Sequence, residues 1–270
     1  MDIQLGRFSA LHASAEPLKF AFPIILLPDL FCRASHMAAM LGYLASIGWE
    51  DYAPELSSPK DTSTRPIASC ADYMARVSEV LKAVSKDAIL VGHGLGGTIA
   101  LTMTERSAVK AGVAIAPALP GFRPPAVSRF ACAVARFTGT DLKPPRGRPL
   151  FEMIADVEPF QRENLIKGFR GESPSLPLQV AEGATAFPPA TQSAPRLVVC
   201  GDSDRFAPIE QVGKLATSLG AELRTIAGRG HWLIGGRALE RTVNETHRFL
   251  VRSLGEELLL LLPPELPDQT

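Results

Sequence analysis

The chain has 270 residues, 46% hydrophobic and 21% charged, with 28 Lys and Arg against 28 Asp and Glu. Such a chain buries a substantial core, and its zero net charge gives no broad electrostatic reason for nucleic acid or an anionic membrane as partner. No apolar run approaches the roughly 20 residues that span a bilayer, and Met1-Asp2-Ile3-Gln4 lacks the basic and apolar regions of an export signal.

Strand-like and helix-like runs alternate, as in a mostly parallel sheet covered on both faces. Pro23-Ile24-Ile25-Leu26-Leu27-Pro28 reads as a buried strand, residues 35–47 as a helix and 49–53 as the next strand. Over residues 67–85, Ala71, Met74, Val77, Leu81 and Val84 recur at helical spacing. Strands follow at 88–91 and 112–116, with a helix over 95–106 between them. From Pro117 to Pro195 the chain is dense in proline, with pairs at Pro124-Pro125, Pro144-Pro145 and Pro188-Pro189 and short helical pieces at 127–137, 151–154 and 160–169. That stretch is too long for an ordinary loop. A strand over 195–201, a helix over 208–219, a strand over 222–226 and a closing helix over 237–254 complete the pattern.

Cys32, Cys70, Cys132 and Cys200 are scattered, with no Cys-x-x-Cys pair. Neither a metal site nor a disulfide framework is expected. With no export signal, the thiols read as reduced and the protein as cytoplasmic. The Leu-rich stretch at 258–262 is too short to cross a membrane; it packs on the body or on a second subunit, so the chain is a monomer or homodimer.

The most informative run is Ala88-Ile89-Leu90-Val91-Gly92-His93-Gly94-Leu95-Gly96-Gly97-Thr98. An apolar strand enters a glycine-crowded bend and a helix-compatible segment leaves it. This resembles the nucleophile elbow of the α/β-hydrolase superfamily, Gly-x-Ser-x-Gly, with Gly94 where serine is usual. Two further motifs carry the resemblance. Gly201-Asp202-Ser203-Asp204-Arg205-Phe206-Ala207-Pro208 is similar to the family's acid loop, and Gly228-Arg229-Gly230-His231-Trp232 to its histidine loop. Their order (elbow, acid, histidine) is the family's. The resemblance covers residues 23–254.

It implies an α/β-hydrolase fold: a mostly parallel central sheet flanked by helices, with core segments 1–117 and 195–270 and a helical cap over 118–194. It also implies roles. Asp204 would orient His231, with Asp202 the competing carboxylate and a helix-capping role open to either. Leu27-Pro28-Asp29-Leu30-Phe31-Cys32-Arg33 resembles an oxyanion loop, so the backbone N–H groups of Leu30 and Leu95 would form the hole. Asp29 stands where glycine is usual, and its charge would oppose an oxyanion if it points inward. Arg33 would pair with Asp29 or reach a substrate carboxylate; otherwise both are solvated loop charges. Asp29, Arg33 and Trp232 are the substrate-binding candidates. Cys32 and Ser35 are the nearest substitutes for the absent hydroxyl, on no elbow of their own. His12, His36 and His247 read as surface or helix residues.

These residues suit non-covalent acid/base chemistry (lyase, cyclase, isomerase or water-mediated hydrolysis) on a small apolar carbonyl compound. His231, held by Asp204, would serve as base, with no cofactor and no metal. A ligand-binding protein that has kept the pocket, or an inactivated serine hydrolase, is the alternative.

Overall fold

The computed structural model describes residues 1–56, 67–122, 128–183 and 194–260. The proline pairs Pro124-Pro125 and Pro188-Pro189, the first residue of the helix expected from Val127, and Leu261 and Leu262 lie outside them.

A hairpin of β1 (Asp2–Leu5) and β2 (Phe8–Ser14) precedes β3 (Ile24–Leu27). A short 3₁₀ turn then leads into α1 (Ala38–Ser46), β4 (Glu50–Pro54), α2 (Cys70–Val84), β5 (Ala88–His93), α3 (Leu95–Thr102) and β6 (Val109–Ile115). Four helices follow in the insertion: α4 (Arg129–Thr138), α5 (Arg148–Met153), α6 (Pro159–Gly168) and α7 (Ser175–Ala181). The sheet resumes with β7 (Arg196–Gly201), and α8 (Ile209–Leu219), β8 (Glu222–Ile226) and α9 (Leu239–Leu254) close the chain.

Eight strands form one sheet in the order β1-β2-β4-β3-β5-β6-β7-β8. The first two join antiparallel, and every pair from β4 to β8 is parallel. Side chains alternate across the central strands. Ile24, Leu26, Ile89 and Val91 enter the core that α1 and α9 cover. Ile25, Leu27, Ala88 and Leu90 enter the one under α2 and α3. Burial on both faces explains why these strands read as continuous apolar runs.

Parallel connection puts the loops after β3, β5, β7 and β8 at one edge of the sheet, where ligands bind in open α/β folds. β3 lies directly beside β5, with Leu27 opposite Gly92. The chain leaving β3 at Pro28 and Asp29 therefore runs alongside the turn at His93 and Gly94. All four cysteines are buried and none forms a disulfide. Leu258 is buried, and the chain around it bonds back to Lys19 and Ala21, so the described part of the Leu-rich stretch packs on the body. Among the described residues, no helix is long and apolar enough to cross a membrane.

Candidate functional site

Gly94 forms the turn between β5 and α3 with φ 52°, a conformation that strains residues bearing a Cβ. Its N–H donates to Ile115 O (3.0 Å) and its carbonyl accepts from Thr98 N–H (3.2 Å), so the turn is anchored at both ends. Two residues on, Gly96 lets α3 approach the end of β3: a Cβ there would lie 2.2 Å from Leu27 O.

Asp29 fills the space above the turn. A Cβ on residue 94 would meet its Cγ at 1.9 Å. Asp29 Oδ1 accepts the Leu95 N–H at 2.7 Å, and Oδ2 lies 3.3 Å from His231 Nε2. On the far side of the ring, His231 Nδ1 is 2.9 Å from Asp204 Oδ2. Asp204 Oδ1 accepts the N–H groups of Phe206 (2.7 Å) and Ala207 (3.1 Å), just before α8. The competing carboxylate, Asp202, instead accepts from Gly228 N–H and the Ser203 hydroxyl.

An imidazole held between two carboxylates keeps its proton. Burial opposes the charged ring, but Asp204 and then Asp29 outweigh it and raise the His231 pKa to about 10. Burial likewise works against both carboxylates, yet the imidazolium and the backbone donors bring Asp29 and Asp204 below their ordinary values. Both ring nitrogens of His231 thus face a carboxylate oxygen, an arrangement that favours the doubly protonated ring.

His93 lies beside this pair, its ring centre 4.8 Å from that of His231. Its Nε2–H donates to His231 O at 3.0 Å. Burial, and then His231, lower its pKa to about 4, so it stays neutral. Asp29, His93 and His231 bring ligand-capable atoms within 4.8 Å of one another. Tetrahedral zinc ligands sit about 3.4 Å apart, so a metal would have to draw this set together.

A narrow cavity of about 50 Å³ opens over Asp29 and His231, walled by Leu30, Phe31, Leu119, Phe122, Met153 and Phe206. Its walls come from the Asp29 loop, the insertion between β6 and β7 and the acid loop, and they are apolar.

The structure thus brings together Asp29, Gly94, Leu95, His231 and Asp204, with Leu30 at the cavity wall. It alters two expectations. The Leu95 N–H, expected as a donor to a substrate oxyanion, is occupied by Asp29, whose charge does point inward. For His231, expected as a base, the two flanking carboxylates raise the pKa and so favour the protonated ring. Two binding candidates lie elsewhere. Arg33 pairs with Glu55 at 3.1 Å and lines a different groove. Trp232 is 2% exposed and meets His93 edge-on at 5.4 Å, so it packs behind the site. Cys32 is buried among Asp29 and Glu172, which keeps its thiol protonated, and Ser35 faces two grooves outside the cavity.

Two carboxylates of the insertion between β6 and β7 carry no signal in the sequence. Asp156 accepts Gly230 N–H at 2.7 Å and so pins the histidine loop. Glu172 accepts Phe31 N–H at 3.3 Å, and burial, reinforced by Asp29, raises its pKa to about 7. No spacing rule links such residues to the site, because the fold alone brings the insertion between β6 and β7 to it. His36, expected at the surface or on a helix, is buried in the 3₁₀ turn before α1, where Nδ1 accepts Arg33 N–H and Nε2 faces Leu165 O.

A model of the "Alpha/beta hydrolase family" matches residues 21–245. Among solved structures, a monoacylglycerol lipase from Paleococcus ferrophilus superposes with a TM-score of 0.71 at 18% identity, covering 91% of this chain and 99% of its own. A thermophilic esterase from Thermogutta terrifontis gives 0.66 at 15%, over 94% and 99%. The thioesterase domain from the curacin biosynthetic pathway gives 0.62 at 16%, over 93% and 98%. At these identities the likeness is one of fold. No curated protein matches the chain.

Proposed function

Because the chain belongs to the alpha/beta hydrolase family, we propose that it is an enzyme of that fold which moves protons on a small apolar carbonyl compound without forming an acyl-enzyme. Asp29 is the base and the His231 imidazolium the acid. One observation carries this reading: the Asp29 carboxylate stands where a side chain on residue 94 would project, bonded to Leu95 N–H and facing His231.

Gly94 has no hydroxyl to acylate, which speaks against the serine chemistry usual at such a turn. Proton transfer needs only what is present. The substrate carbonyl oxygen enters beside His231 Nε2–H and takes that hydrogen bond from Asp29. Burial then raises the basicity of the released carboxylate, since desolvation is the largest single influence on it. Asp29 accepts the proton from the carbon next to the carbonyl. The C–H electron pair moves into an enolate, whose oxygen the imidazolium stabilises. Return of the proton to another carbon gives isomerisation; departure of a leaving group gives elimination.

Solvent exchange tests this without a known substrate. Wild-type protein in D₂O is expected to incorporate deuterium at the α-carbon of apolar ketones or thioesters. Asp29→Asn should lose about 10²–10⁴-fold, the usual worth of a positioned proton-transfer group, and His231→Ala should be similarly impaired. Labelling of wild-type protein by a fluorophosphonate, or undiminished exchange by Asp29→Asn, would contradict the proposal. Tight binding of apolar carbonyl compounds with no exchange would favour a ligand-binding role instead.

A further inference from the structure

The first helix of the cap is turned inside out. α4 buries Cys132 and Ala135 and exposes Phe130 (79%), Val134 (44%) and Phe137 (93%). A helix packed only for its own fold directs large apolar side chains inward and small ones outward. Residues 130, 134 and 137 share one face, so the exposed rings form a stripe. Arg129 and Arg136 lie seven residues apart and make a second row about 100° around the helix. Lys143 and Arg146 follow in the next loop. All four cations are exposed, and none forms an ion pair among the described residues. Balance over the whole chain conceals this local excess.

The inner face of the helix leads to the site. Cys132 packs with Phe31 and Leu142, with Leu30 alongside, and Leu30 and Phe31 wall the cavity over Asp29. The helix that bears the exposed stripe therefore packs its other face on the wall of the cavity.

We propose that α4 docks its Phe130, Val134 and Phe137 stripe on an anionic lipid surface and that the apolar substrate enters the cavity from there. The chemistry of a headgroup layer fits: aromatic rings enter the acyl boundary while the neighbouring cations meet negative charge. A second copy of the chain fits poorly in the antiparallel arrangement, because such a two-fold contact through this stripe would set the Arg129 and Arg136 rows against their own copies. The route of substrate entry rests on the proton-transfer reading; the docking does not.

Sedimentation with vesicles separates these statements. Full-length protein is expected to sediment with vesicles of equal phosphatidylcholine and phosphatidylglycerol, and weakly with phosphatidylcholine alone. Arg129→Gln with Arg136→Gln should lower partitioning about 25-fold, from roughly fivefold per cation near an anionic surface. Phe130→Ser with Phe137→Ser should abolish it while leaving the melting temperature unchanged. Asp29→Asn should bind vesicles as wild type does, so loss of exchange and loss of docking are told apart. Absence of vesicle binding, equal binding to both compositions, or a dimer in sedimentation velocity that Phe137→Ser dissolves would each overturn the proposal.

Discussion

With a Cβ on residue 94 only 1.9 Å from Asp29 Cγ, a serine at 94 requires the Asp29 carboxylate to leave its place above the turn. Gly94→Ser is therefore expected to lose about 1–3 kcal/mol from overpacking, with further strain from its positive φ, and not to react with a fluorophosphonate. Removing the obstruction as well, in Asp29→Gly with Gly94→Ser, frees the Leu95 N–H and should allow labelling, read by mass spectrometry. The pH profile separates the two chemistries further. A neutral histidine base gives a rate that climbs near its ordinary pKa of about 6.5. An imidazolium acid with pKa about 10 gives a rate that is level through neutrality and declines toward that value. The sequence carried part of this centre. Glycine at 94, and the loops bearing Asp204 and His231, stand in local motifs. The pairing of Asp29 with His231 does not, because the two lie 202 residues apart and meet only through the order of the sheet. Arg33 shows the same limit: its partner Glu55 lies on another loop.

Among the elements, the central strands and their helices were legible because burial on both faces leaves uninterrupted apolar runs. β8 spans the residues expected, and β5 extends two beyond its expected end at Val91. The β1 and β2 hairpin went unread. Only Leu5, Phe8 and Ala10 of it are fully buried, too few for a clear alternation, although Gly6-Arg7 is a two-residue turn between paired Leu5 and Phe8. α7 was missed because Pro177 lies inside it. Proline is tolerated in a first turn, where the N–H groups have no partner within the helix. The approach of α3 to β3 makes a prediction at this scale. In Gly96→Ala the new Cβ meets backbone, Leu27 O at 2.2 Å, which no rotamer change relieves. The variant should unfold about 1–3 kcal/mol more easily in denaturant, with lowered turnover because Asp29 follows Leu27 by two residues.

Across the molecule, buried ionisable groups set how stability depends on pH. Burial, and then Glu50, raise the Asp51 pKa to about 8, and Asp51 has no hydrogen-bond partner for either oxygen among the described residues. Glu172 is raised to about 7. Both carboxyls bind protons more tightly when folded, so stability falls as pH rises from their unfolded values near 4 through those folded values. His231, also raised, contributes fully below about 6.5 and loses that contribution as pH rises toward its folded value. Asp29 and Asp204, both lowered, act in the opposite sense and lose theirs only in acid. Thermal unfolding should therefore show greatest stability in mildly acidic buffer and a decline toward pH 9. Asp51→Asn and Glu172→Gln should each flatten that decline.

All of the proposed chemistry depends on Asp29 holding a protonated His231 against the turn at Gly94. Nitrogen-15 NMR of the histidine rings reads that state directly, in wild type and in Asp29→Asn. The wild-type His231 ring should carry both protons at pH 8, and the variant should titrate markedly lower. A His231 ring that is neutral at pH 8, or one whose titration Asp29→Asn leaves in place, would contradict the account.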